Sequence, residues 1–439
     1  MSRKLKMVCL LLAVALLSGC SLRTVDQLYC LPKRSEEFDN LQSAIDRYLG
    51  GLSYCAPLSG ENPQSVQLAD LDGDGVGEYL IFAKGTDEKP LNILIFRQNG
   101  GEYMLSDTIV SAGSAFDLVE YARMDDRPGY ELIVGCQVSD QLTRSVSVYR
   151  FADGKAQQLL TANYTRFLAY DMNADGRGEL MVLHPGESGE DGGIAELYSF
   201  DGGEMVRSNQ VNMSESADRM KRIVAGKLHG GQPAVYVASA VGESAIVTDV
   251  FALVDGLFTN ISFSSESGTS VQTLRNYYVY ADDIDDDGVV ELPNLITMQS
   301  PLARDITAEQ YLIRWFAMTA TGEEIEKCYT YHNFQSGWYV TLGSNWAPRV
   351  AAVQQGNAFS FYVWDEAFTQ SQKLFTIYAF TGEDRQELAA RDNRFALLEN
   401  ETTVYAAYLE VAAASYGISQ DTLIQSFRLI HQDWKTGET

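Results

Sequence analysis

The stretch DLDGDGVGE, Asp70 to Glu78, sets a carboxylate at every second position and closes with a fourth acid. Carboxylates crowded this closely repel one another at neutral pH, so a folded turn of this kind needs full solvation or a positive charge among them. In a tight turn the side chains at positions 1, 3 and 5 can face one centre, the carbonyl at position 7 adds an oxygen, and the acid at position 9 completes the shell. Gly73 and Gly75 allow the positive φ that such a turn takes. A flexible cage of six to eight oxygens at about 2.3 to 2.6 Å suits Ca2+ better than Mg2+. The spacing is not that of an EF-hand, which places its closing glutamate at position 12 between two helices.

The register returns in YDMNADGRGELMVL and DDIDDDGVVELPNLI, where Asp171 and Asp283 take position 1. Two weaker copies lie between. ARMDDRPGYELIVG puts Arg123 at position 1 and Glu131 at position 9, while GKLHGGQPAVYVAS puts Lys227 and Val235 there. In the first of these a guanidinium, from Arg123 or Arg127, is expected to bridge Asp125 and Glu131 and to supply the positive charge without metal. The second, with Lys227 and His229, is expected to bind nothing. The five starts at 70, 123, 171, 227 and 283 are separated by the length of a four-stranded sheet with its connections. A second marker follows each loop: ILIFRQNGG, VSVYRFADG, AELYSFDGG, VFALVDG and LIRWFAMTATG all end an apolar strand in a glycine turn, a hairpin signal. Each unit therefore reads as strand, acidic loop, strand, hairpin strand and fourth strand. The runs YLIF, LIV and LMVL after the loops are continuously apolar, which predicts burial on both faces, as in sheets stacked around the axis of a β-propeller.

Over about residues 60–335 this pattern resembles the FG-GAP and VCBS-type repeats of integrin-α-like propellers, and the whole chain resembles repeat-bearing lipoproteins of Gram-positive, clostridia-like bacteria. The resemblance implies a mainly β fold, a propeller of about five to seven blades, and up to three structural Ca2+ ions. It carries the ligands across as Asp70, Asp72, Asp74, the Val76 carbonyl and Glu78; Asp171, Asn173, Asp175, the Arg177 carbonyl and Glu179; and Asp283, Asp285, Asp287, the Val289 carbonyl and Glu291. Ala174 and Asp286 stand where the pattern has glycine at position 4, and Pro293 interrupts the strand after the third of these loops.

The N-terminal text is of a different kind. Arg3, Lys4 and Lys6 precede MVCLLLAVALL and then LSGC, which resembles the signal of bacterial lipoproteins. Residues 1–19 are expected to be a signal peptide and Cys20 the lipidated N-terminus of an extracytoplasmic, membrane-anchored protein. Losing three basic residues and no acid takes the formal charge from −26 to −29, a balance that argues against nucleic acid and anionic lipid surfaces as partners. Residues 20–59 are expected to hold a linker and a short helix, SEEFDNLQSAIDRYL, with Ser35 as N-cap and Phe38, Leu41, Ile45 and Tyr48 on one face. After residue 336 the acidic loops stop, and residues 336–439 read as a small α+β domain or as additional blades. It closes on a helix from Ser419 whose stripe is Leu423, Phe427, Ile430 and Trp434. No cysteine spacing suggests metal, and a Cys30–Cys55 disulfide is open.

No HExxH, GxSxG, P-loop or Cys–His pattern surrounds His184, His229, His332 or His431. Trp338, Trp346 and Trp364 read first as core. The expectation is thus a non-enzymatic, surface-anchored, calcium-stabilised propeller binding a protein or glycan at the cell envelope. The alternative is an envelope enzyme or accessory subunit acting on polysaccharide with the propeller as scaffold.

Overall fold

The computed structural model describes residues 36–138, 144–186, 192–276, 279–298 and 311–430. Residues 1–19, expected to be a signal peptide, and Cys20, Cys30, Ser35, His431 and Trp434 lie outside the described residues. Among those described, no helix is long and apolar enough to cross a membrane.

The regular structure is mainly antiparallel β, in six sheets, and the five sequence units coincide with the first five. The first sheet runs Val66–Ala69, the acidic loop, Glu78–Lys84, Leu91–Asn99 and Glu102–Ser111, with the two-residue strand Ser53–Tyr54 also paired to Glu78–Lys84. The second comprises Ala115–Ala122, Glu131–Gln137, Arg144–Ala152 and Lys155–Tyr164, and the third Arg166–Tyr170, Glu179–Pro185, Gly193–Asp201 and Glu204–Asn212. The hairpins joining the last two strands turn on Gly100–Gly101, Asp153–Gly154, Gly202–Gly203 and, in the fourth sheet, Asp255–Gly256. Both residues of every pair have positive φ. That is the geometry of the type I′ turn, whose twist matches that of the strands it joins. In the first three sheets one residue of register is lost in this hairpin, at Ile95/Phe96, Val148/Tyr149 and Leu197/Tyr198, a bulge that adds twist.

Continuous apolar runs are buried on both sides because each sheet lies between two neighbours. Phe82 and Ile95 of the first sheet share a core with Phe116 and Val134 of the second. Ile133 and Val148 of the second join Leu180 and Val182 of the third. The third and fourth sheets meet through Met181, Leu197, Val235 and Phe251, and the fourth and fifth through Tyr236, Val250, Leu292 and Phe316. At one end of the series the outer face of the first sheet (Ile81, Leu94, Phe96) is covered by helix α1, Glu36–Leu49, through Leu41, Ala44 and Ile45. At the other end Phe380, Val404 and Ala406 of the sixth sheet pack under α2, Arg385–Ala390. Among the described residues no core cluster joins the first sheet to the sixth.

The segment after Ser336 shares its core with the fifth sheet. Trp338–Leu342 and Phe427–Leu429 extend that sheet's edge, and Val350–Gln355, Ala358–Trp364, Ser371–Thr381, Thr403–Leu409 and Phe395–Glu399 form the sixth. Trp338, Trp346, Phe361, Phe375 and Phe427 belong to one buried cluster. The closing helix is shorter than its apolar spacing predicts. Ser419 caps α3, Gln420–Ser426, in a reciprocal capping box with Thr422, but Phe427 leaves the helix and pairs with Val340. The strand contact buries Phe427 against Trp338 and Tyr405, which a continued helix at that point would give up.

Backbone hydrogen bonds lace the loops along one edge of the series. Tyr130 N–H donates to the Asp70 carbonyl (3.2 Å), Gly178 N–H to that of Arg123 (2.6 Å) and Val290 N–H to that of Lys227 (3.0 Å). In each case position 8 of one loop reaches position 1 of the preceding one.

Between the second and third sheets, burial together with the nearby Glu61 charge raises the Glu120 carboxyl from 4.5 to about 7. The folded state therefore holds a proton that the unfolded chain has released, and the resulting stability is lost as pH rises from about 4.5 through about 7. Glu120→Gln should stabilise the protein by ~1–3 kcal/mol at pH 8 and change it little at pH 4.5, as read by denaturant unfolding at the two pH values.

Candidate metal centres

Four loops share one frame, and its fixed point is the acid at position 9. Glu78 Oε2 accepts from Leu71 N–H (2.9 Å), Glu131 from Met124 (2.8 Å), Glu179 from Met172 (2.8 Å) and Glu291 from Ile284 (3.1 Å). Each glutamate is the first residue of the strand that follows its loop, is at most 5% exposed, and so holds a carboxylate inside the protein. Burial raises the Glu78 and Glu131 carboxyls above their ordinary value, and pushes Glu179 and Glu291 up to about 7. At position 1, Asp70 accepts from Gly73 and Gly75 N–H, Asp171 from Asp175 and Gly176, and Asp283 from Asp287 and Gly288. These bonds wind the turn tightly enough that position 4 takes a left-handed conformation: Gly73 φ 73°, Ala174 φ 59° and Asp286 φ 60°. The two substitutions at the glycine position thus leave the backbone path unchanged.

The oxygens converge. Asp70, Asp72 and Glu78 bring carboxylate oxygens within 4.8 Å of one another, and so do Asp283, Asp285 and Glu291. Two acidic clusters, each closed by a buried glutamate, can therefore hold a metal ion. Asp74 and Asp287 flank these groups and accept from the N–H of Val76 and Val289, the residues expected to offer position-7 carbonyls. In the remaining loop Asn173 donates to Glu179 Oε1 (2.8 Å), and Asp175 accepts from Arg177 N–H and pairs with its guanidinium (2.6 Å). That loop is compensated in part by its own side chains.

The basic partners come from strands that the loop motif does not contain. Arg97, from Leu91–Asn99, lies 2.6 Å from Asp72, 3.5 Å from Asp74 and 3.5 Å from Glu78. Arg150, at the equivalent place in Arg144–Ala152, stands 2.6 Å from Asp125 with both side chains buried. This corrects the expectation for the second loop: the guanidinium on Asp125 belongs to Arg150, not to Arg123 or Arg127. Lys327, from Glu324–Asn333, pairs with Asp287 and lies 3.8 Å from Asp285 and 3.5 Å from Glu291. Arg97 and Arg150 were visible as a signal, since both stand three residues before the hairpin turn in RQNGG and RFADG. Lys327 has no such marker. In the fourth unit Gly226, just before position 1, pairs with Ala234, as Ala69, Ala122 and Tyr170 pair with their closing glutamates, so position 9 falls on Ala234 rather than on Val235. The loop is a tight turn closed by Gln232 and Gly231.

A calcium ion fits the donor set of the two convergent loops: hard oxygen ligands, a carboxylate in the interior, and in Glu291 a buried Oε1 with no hydrogen-bond partner. Beside the first loop lies a cleft of about 380 Å³ lined by Asp72, Asp74, Arg97, Arg127, Glu131 and Phe151. Trp338 and Trp346 are core residues, as expected, and Cys55 is a free thiol beside the core of the first two sheets.

No protein-family model matches the chain, and no curated protein does. Solved structures that align with it include a protein from Lactobacillus plantarum (14% identity, 73% of this chain and 86% of that one, TM-score 0.29). A putative 6-phosphogluconolactonase from Bacteroides uniformis aligns at 11% identity over 73% and 94% of the two chains, with a TM-score of 0.30. A Bacillus licheniformis rhamnogalacturonan lyase does so at 13% over 82% and 89%, TM-score 0.30. The expectation of a non-enzymatic chain is corrected by these neighbours, among which enzymes are named. The lack of a motif had excluded too much, because paired carboxylates need no fixed spacing. At this similarity the neighbours assign no reaction to the chain.

Two outcomes follow from the loop geometry. Ala174→Gly relieves a left-handed Cβ and should add about 1 kcal/mol to stability, read by chemical denaturation. Arg150→Met strands Asp125 in the interior and should cost ~3–5 kcal/mol, to the same extent in calcium and in chelator, whereas Arg123→Ala should cost far less.

Proposed function

We propose that this chain is a lipid-anchored, extracytoplasmic protein whose propeller-like series of sheets is stabilised by structural Ca2+ and presents a surface to a protein or glycan at the cell envelope. The observation that carries the calcium reading is the convergence of Asp70, Asp72 and Glu78, and of Asp283, Asp285 and Glu291, each within 4.8 Å. Three further groups, Asp171, Asp175 and Glu179, belong to a weaker centre in which Asn173 replaces one carboxylate. When bound, the ion supplies positive charge to acids that repel one another. The chain's own residues do the rest: the closing glutamates hold the strand start to position 2, the position-1 aspartates set the turn, and the lacing of loops passes the constraint to the next sheet.

The lipoprotein-like N-terminus and the acidic balance support a soluble body held at a membrane by its lipid. Extracellular modules with such loops bind calcium at about 10⁻⁴ to 10⁻³ M, a range that external calcium can fill. The open cleft beside the first loop, with Arg127 exposed at its rim, offers charge to a polar partner such as a glycan.

The test is the melting temperature of the full chain with 5 mM calcium and with EDTA. Binding to the folded state alone stabilises by RT ln(1 + [L]/Kd), about 1–2 kcal/mol per site at these concentrations. A rise of several degrees in calcium, abolished in Asp70→Asn/Asp283→Asn, is expected; superimposable melts would refute the reading.

A further inference from the structure

Lys327 and Arg97 have no place in a calcium-binding motif, yet each reaches the carboxylates that such a motif would use. Lys327 stands on the third main strand of its sheet, 40 residues from Asp287 in sequence, and its ammonium pairs with Asp287 while approaching Asp285 and Glu291. Arg97 does the same for Asp72, Asp74 and Glu78. A dication and a basic head group cannot share these oxygens, since at a few ångströms in a partly buried site their repulsion is large.

We propose that Lys327 and Arg97 are tethered counter-ions of the two centres, and that calcium binds by displacing them. This rests on the calcium reading above. Three features support exchange rather than a permanent ion pair. The third acidic centre sets Asp283, Asp285, Asp287 and Glu291 against one ammonium, so Lys327 leaves negative charge uncompensated, and Glu291 Oε1 is without a hydrogen-bond partner while completely buried. Asp285 and Asp287 are each 41% exposed, so the ammonium has an aqueous exit on the side where those acids lie. A lysine carries its charge on a flexible four-carbon stem that can swing to water without moving the strand. The second loop shows the locked counterpart: Arg150 and Asp125 are buried together (6% and 1% exposed), and arginines stand at positions 1 and 5 of that loop. There the guanidinium has no competitor.

The consequence is a calcium affinity set by side chains outside the loops, and loops that remain closed when calcium is scarce. Calcium alone is titrated into the full chain by calorimetry, in the wild type and in Lys327→Met and Arg97→Met. Exchange predicts that each substitution tightens one site about tenfold and lowers the melting temperature in EDTA. A measurement on the wild type guards against variants that fail to fold. Acylation of Lys327 by a water-soluble amine reagent, read by mass spectrometry, should rise several-fold on adding calcium. Calcium binding by the wild type with unchanged or weaker affinity in both variants, or with Lys327 labelling unchanged or reduced, overturns the exchange while leaving the calcium centres standing. No binding to any of the three proteins removes the calcium reading itself, and the exchange with it.

Discussion

A glutamate buried at the first residue of a strand is the constraint around which each acidic loop is built. Its Oε2 must stay inside to accept the N–H of position 2, because that donor is enclosed by the loop and has no water to turn to. The second oxygen then lies in the same low-dielectric surroundings, with the aspartates of the turn nearby, and a positive or hydrogen-bonding group has to face it. Different sheets meet this need differently. Arg97 approaches from the adjacent strand and Lys327 from the next but one, Asn173 donates from within the loop, and in the second sheet Arg150 neutralises Asp125 next to Glu131. In the fourth sheet the problem is removed: Ala234 takes the place of the acid and the loop shortens to a tight turn.

The loops also fasten one sheet to the next. The hydrogen bond from position 8 of one loop to the position-1 carbonyl of its predecessor fixes their separation, and the packing is close. A Cβ on Gly73 would lie 2.3 Å from the Pro128 carbonyl carbon, and one on Gly129 2.5 Å from the Leu71 oxygen. Glycine is required at both places by this approach as well as by positive φ. Charge neutralisation within a loop therefore acts on the inter-sheet contact, since a turn pushed open by its own carboxylates would lose the donor or acceptor it offers its neighbour.

Much of this was legible in the sequence because it is local. Repeat starts, hairpin turns and continuous apolar runs are written within a dozen residues each, and they located five of the six sheets. The turn residues at positions 1 to 9 likewise revealed the carboxylate cages. What the sequence hid depends on pairing between distant segments. Lys327 meets Asp287 only after two intervening strands have formed, and Arg150 was overlooked because Arg123 and Arg127 sit nearer to Asp125 in the chain than in space. Position 9 of the fourth loop lies one residue earlier than its spacing predicts, because an apolar run has no internal landmark, whereas the ladder pairing Gly226 with Ala234 does. Phe427 fits a helical stripe equally well, and only the free edge of Trp338–Leu342 turns it into a strand residue.

A series in which each sheet contacts only its neighbours behaves approximately as a one-dimensional array, with stability the sum of unit and interface terms. Two features here fit that description: core clusters span adjacent sheets, and the outer faces at the two ends are closed by α1 and α2. In such an array the charge compensation of one loop is felt by its own sheet and by those beside it, and little farther away. Each unit is then free to settle its acids by its own means, provided that the position-2 donor is met; the inter-loop hydrogen bond joins the first sheet to the second, the second to the third and the fourth to the fifth. The fourth unit marks how far this freedom extends. It has given up the carboxylates altogether, yet keeps the Lys227 carbonyl as the acceptor for Val290, so the link to the fifth sheet, where acids gather again, is retained.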